Sequence, residues 1–98
     1  MLPNHYDFIS RMTALPFVEA IYLFGSRARG THGLRSDIDL AVICPTASEA
    51  QWQSVLNIIA EADTLLPIDC VRLDAESEFS PLKSAIDIEK KVLYERAH

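Results

Sequence analysis

Two short runs decide how this chain is read: Phe24-Gly25-Ser26-Arg27-Ala28-Arg29-Gly30 and, after five intervening residues, Ser36-Asp37-Ile38-Asp39-Leu40. The first begins where an apolar, aromatic run, Glu19 to Phe24, stops at a Gly-Ser pair. Such a run predicts a strand. Ser26 to Gly30 then reads as the first turn of a short helix, and Thr31 to Ser36 as a loop. The second run opens another strand, Asp37 to Cys44, closed by Pro45.

Each half has its own chemistry. A glycine between strand and helix lets the backbone turn sharply and lets a ligand come close. Amides of Gly25, Ser26 and Arg27 exposed there suit a phosphate, and the Ser26 hydroxyl adds one more donor. Arg27 and Arg29 supply charge, and the sequence does not say which of them faces the ligand. In the second half, Asp37 and Asp39 stand two apart on a strand, so both carboxylates share one face with Cα atoms about 6.5–7 Å apart. Aspartate is depleted in strands, and two like charges on one side repel. A divalent cation removes both penalties, and Mg²⁺ in particular favours carboxylates together with substrate phosphates. Two such ions can clamp the attacking and leaving oxygens of an in-line displacement. Either half alone has a plain alternative, a glycine turn with a serine cap or a strand start with solvated acids. Together, four fixed residues at fixed spacing arise by chance in roughly one or two per thousand chains of this length.

Outward from these runs, the chain fits one domain spanning residues 1–98. Leu2 to Leu15 reads as a first helix with Phe8, Met12 and Leu15 on one face, ended by Pro16. Ser48 and Gln51 have the form of a capping box, and Trp52, Val55, Leu56 and Ile59 follow at helical spacing to about Thr64. Pro67 to Leu73 reads as a third strand. Ser80-Pro81 opens a last helix running to about Lys91, and Val92 to Glu95 is a short final strand. The order predicts an α/β (α+β) fold, a mixed sheet of about four strands flanked by helices. The first two strands are joined too tightly for a regular parallel crossover, so they are expected to be antiparallel or strongly offset.

Composition narrows the function. The net charge of −5 argues against direct nucleic-acid binding. Arg27, Arg29 and Arg35 nevertheless cluster, which suits a small anion such as a nucleoside triphosphate. No apolar run is long enough to cross a bilayer, and no signal peptide is visible, so a cytoplasmic protein with no membrane partner is expected. Cys44 and Cys70 read as buried reduced thiols. His32 sits in the loop between the two runs, where a solvated histidine is the simpler reading. Lys83, Lys90, Lys91 and Arg96 read as a solvated helix face and end.

Gly25-Ser26, ten residues, then Asp37-Ile38-Asp39 resembles the signature of the DNA polymerase β-like nucleotidyltransferase superfamily. The fuller pattern resembles its minimal nucleotidyltransferase (MNT) branch, over nearly the whole chain. The resemblance implies a third carboxylate on a later strand. Asp69 matches that place, with Asp74 as the rival. It implies that Asp37, Asp39 and Asp69 hold Mg²⁺, that Asp69 can help deprotonate the attacking hydroxyl, and that ATP is the nucleotide. It further implies an all-helical HEPN-type partner, a toxin that the MNT member neutralises as antitoxin, in some cases by adenylylation. No room for a second, acceptor-holding domain is expected, so either the acceptor is a protein that docks on the open side of the site or a separate subunit supplies the missing wall. Two alternatives stay open: a catalytically weak binding module that neutralises its partner by occlusion, and transfer to a small molecule.

Overall fold

A computed structural model of the chain describes residues 7–31, 33 and 36–96. His5, His32, Arg35, His98 and the first residues of the expected N-terminal helix lie outside them. The helix that is described, α1 (Asp7–Thr13), is held across the fold. Asp63 accepts hydrogen bonds from the amides of Asp7 at 3.1 Å and Phe8 at 3.5 Å, capping donors that the helix itself leaves unpaired.

Next come β1 (Ala20–Phe24), the five-residue α2 (Gly25–Arg29) and β2 (Ile38–Ile43). The link between β1 and β2 is short, and they pair antiparallel, Ala20 opposite Ile43 and Phe24 opposite Asp39. The longer α3 (Glu49–Ala60) carries the chain over to β3 (Ile68–Arg72), which pairs parallel with β2. A parallel pair needs a crossover of that length. A 3₁₀ turn at Leu73–Ala75 leads to α4 (Pro81–Glu89) and β4 (Lys91–Glu95). The sheet order is β3-β2-β1-β4, with β4 antiparallel to β1. This is the mixed four-stranded sheet that the sequence predicts.

Both helix starts are written in the sequence. Ser48 Oγ accepts from the Gln51 amide at 3.1 Å while Gln51 Oε1 accepts from the Ser48 amide at 2.8 Å. Ser80 Oγ accepts from the Lys83 amide, with Pro81 at the first helical position. The end of α3 falls at Ala60, short of the expected Thr64, and Asp63 is instead spent on α1.

Strand alternation sorts the core into two layers. On one face Ile21, Leu23, Ile38, Leu40 and Val42 pack on Phe8, Ile9 and Met12 of α1 and Val55 and Ile58 of α3. Burying each such side chain contributes about 1.5–3 kcal/mol. The other face carries Ala20, Tyr22, Phe24 and Ala41, covered by Leu73 and by Ile86 of α4. Asp39 and Asp69 stand two residues before Ala41 and Val71, so they belong to this second face.

The basic set near the C-terminus is not simply a solvated surface. Arg96 donates to the carbonyls of Leu15 and Val18 at 3.1–3.4 Å, tying the end of β4 to the approach to β1. Lys90 sits 4.3 Å from the Tyr22 ring centroid. Both cysteines are free, as expected, and burial pushes Cys44 up to about 11 and Cys70 to about 12, which keeps both thiols neutral. Among the described residues, no helix is long and apolar enough to cross a membrane.

Candidate active site

Three strand ends meet where β1 gives way to α2. Phe24 ends β1 opposite Asp39, and Asp39 lies beside Asp69 in the parallel register of β2 and β3. Asp37 precedes β2 by one residue and is exposed. The sheet alone therefore brings two distant carboxylates to adjacent positions and sets the third two residues upstream.

Gly25 closes the arrangement. Its φ of +74° is a conformation L side chains rarely adopt. A Cβ there would overlap Asp39 Oδ2 and stand 3.1 Å from Asp39 Cγ. The turn thus passes directly against the second carboxylate, and only glycine allows it. At the other end of α2, Gly30 adopts φ +77° as the left-handed C-cap. Its conformation stops the helix after five residues and returns the chain toward β2.

The electrostatics follow from the register. Burial holds the Asp39 carboxyl above its ordinary value, and the charges of Asp69 and Asp37 push it further the same way, against Arg29 and Arg27. Among the described residues, no hydrogen bond or ion pair reaches the carboxylates of Asp37, Asp39 or Asp69. The same is true of the Ser26 hydroxyl.

The two arginines of α2 have different work. Arg27 is buried, 8% exposed, and its guanidinium donates to the Ser36 carbonyl at 3.0 and 3.3 Å. It fixes the loop that delivers Asp37. Arg29 is half-exposed and pairs with Glu89, the last residue of α4, at 3.1 Å. Glu89 Oε1 also accepts from the Gly25 amide at 3.2 Å. No sequence signal pointed to Glu89; only the packing of α4 beside α2 reveals it. The rival acid Asp74 is committed elsewhere. It accepts from the Cys44 amide at 2.7 Å and from Arg72 at 3.1 Å, beyond the other end of β2.

For a divalent cation, the donor set is chemically apt: carboxylate oxygens of like charge that accept no hydrogen bond or ion pair among the described residues. Yet among the described residues, no group of three or more such side chains stands close enough to hold a metal as it is. Backbone placement supplies the adjacency, and the side chains do not adopt a closed ligand set. A groove of about 300 Å³ lies at the far end of the same face, lined by Glu19, Ala20, Tyr22, Ile43, Glu95 and Arg96; none of the three aspartates lines it.

Residues 9–98 match the family model for the polymerase β nucleotidyltransferase domain. The chain belongs to the polymerase β-type nucleotidyltransferases. Its solved relatives agree. It resembles a toxin–antitoxin crystallised with AMP-PNP, at 27% identity and TM-score 0.68, over 92% of this chain and 73% of that one. It resembles a mutant of the MntA–HpeT toxin–antitoxin equally, at 27% identity and TM-score 0.66, over 98% and 75% of the two chains. A Sulfolobus solfataricus protein assigned to the nucleotidyltransferases shares the fold at 19% identity and TM-score 0.57, over 92% and 76%. No curated protein matches the chain significantly. A nucleotidyltransferase domain of this size, with MntA-type structural neighbours, is what the fold and the Gly-Ser turn beside Asp39 prefigure.

Proposed function

We propose that the chain is an Mg²⁺-dependent nucleotidyltransferase that moves AMP from ATP onto a hydroxyl of a helical, HEPN-type partner protein, and so acts as the antitoxin of a pair. One observation carries the catalytic part of this reading. The backbone sets three carboxylates near one another at a glycine turn, with burial and like charge on Asp39 outweighing Arg29 and Arg27, in a family that transfers nucleotides. Asp37, Asp39 and Asp69 would hold the metal. When bound, it offsets the charge of the phosphate chain and of the carboxylates.

This chain's own residues do the rest. The Ser26 hydroxyl and the backbone at Gly25 orient the phosphates, with Arg29 as the nearby cation. Asp69, exposed on its strand, takes the proton from the acceptor hydroxyl. A bond forms from the acceptor oxygen to the α-phosphorus, the bond to the bridging oxygen breaks, and pyrophosphate leaves. Positioning and charge stabilisation supply most of the acceleration.

The choice of nucleotide is supported by the AMP-PNP in a related toxin–antitoxin. A protein acceptor is supported by exposed apolar side chains on and around α4 and β4. Phe79 before α4, Ile88 within it and Val92 on the edge strand β4 are 92%, 87% and 52% exposed. Incubation with labelled ATP, Mg²⁺ and the product of the adjacent reading frame should label that protein. Asp37→Ala and Asp39→Ala should abolish transfer. If wild type transfers nothing to it, the enzymatic reading fails.

A second reading, neutralisation by occlusion alone, is favoured by the unassembled carboxylates. It predicts that Asp39→Ala still neutralises the partner in growing cells.

A further inference from the structure

Glu89 occupies the groups that the proposed reading assigns to the nucleotide. Its carboxylate accepts from Arg29 Nη1 at 3.2 Å through Oε1 and at 3.1 Å through Oε2. Oε1 also accepts from the Gly25 amide at 3.2 Å. A planar anion thus bridges the one exposed cation of α2 and the backbone of the Gly-Ser turn. Its side chain is only about a quarter exposed, so it is held in place rather than waving in solvent.

Glu89 draws on Arg29, a cation that also acts on the Asp39 carboxylate. A phosphate chain presents the same chemistry as this carboxylate, oxygen acceptors carrying negative charge, and the Arg29 guanidinium suits either. The two cannot use Arg29 and the Gly25 amide together.

We infer that Glu89 is a stand-in for the phosphate chain: it keeps Arg29 and Gly25 arranged while no nucleotide is bound, and it must swing away to admit one. This inference rests on the nucleotide reading of the site and adds a gate to it. The gate is mounted at the C-terminal end of α4, where the chain turns into β4. The cost appears as weaker apparent affinity, because a ligand sees only the fraction of molecules in which the site is free.

The test is binding, with no turnover required. Inorganic tripolyphosphate and, separately, ATP with Mg²⁺ are titrated by calorimetry into the wild type and into Glu89→Gln and Glu89→Ala. Glu89→Gln keeps the size and loses the charge, and melting curves establish that each variant is folded. A gate closed nine-tenths of the time predicts about tenfold tighter binding of both probes to Glu89→Gln. In the wild type, the Gly25 amide resonance should move on adding tripolyphosphate toward its position in the bound variant. Wild type that binds, with variants that bind equally or more weakly, overturns the gate alone and leaves Glu89 as a staple between α4 and α2. Absence of binding by every folded protein overturns the nucleotide reading and the gate with it.

Discussion

Replacing Asp39 by asparagine should stabilise the metal-free protein. The carboxylate is partly buried and faces Asp69 on the neighbouring strand, and both effects hold its pKa above the ordinary value. A carboxyl raised in this way binds its proton more tightly folded than unfolded. Its contribution to stability is therefore greatest below its unfolded value, 3.8, and is lost as pH rises through the raised folded value. At neutral pH the full penalty applies. Adjacent strands lie about 4.8 Å apart, and at that separation two unit charges repel by about 0.9 kcal/mol in water and about 3.5 at an effective dielectric of 20. Asp69 is exposed, so solvent screening sets the lower end, about 1 kcal/mol. For a domain near 100 residues this corresponds to roughly 4–8 °C in Tm. The assay is thermal unfolding of wild type and Asp39→Asn in chelator at pH 7 and again near pH 4. Asparagine should raise Tm at pH 7, and the gain should shrink on acidification. Asparagine lowering Tm at pH 7 would refute the reasoning, because it would mean that the carboxylate has a stabilising partner.

Gly25→Ala should cost about 1–3 kcal/mol in urea unfolding, from its positive φ together with the overlap with Asp39. Arg27→Met, which leaves the Ser36 carbonyl without its buried donor, should cost about 1–3 kcal/mol by the same assay. Asp74→Asn should destabilise by a similar amount through Cys44 and Arg72, yet leave intact any Mg²⁺-dependent rise in Tm, which Asp69→Asn should remove.

Much of the architecture was legible because local rules agreed with the fold. The serines at 48 and 80 cap the helices their neighbours predict, and the tight Gly-Ser link forces β1 and β2 antiparallel. Asp37 and Asp39 stood out because carboxylates in a strand are anomalous. Asp69 was harder. A lone aspartate in an apolar strand is a weak local signal, and the pairing of residue 69 with residue 39 depends on the parallel register, which local pattern does not give. The true work of the charged residues was the least legible. Arg27 as a loop anchor, Arg96 as a tie to Val18, Asp63 as a cap on α1 and Glu89 on Arg29 all depend on partners distant in sequence. Local periodicity carries no information about such pairs.

The most direct test of the central claim is paramagnetic broadening by Mn²⁺ in amide NMR spectra of the protein with a nonhydrolysable ATP analogue. The account predicts broadening concentrated at Gly25, Ser26, Asp37 to Leu40 and Asp69, and its loss in Asp39→Asn. Broadening centred on Glu19 and Glu95 at the opposite end of the sheet, or none above that of free Mn²⁺, would contradict it.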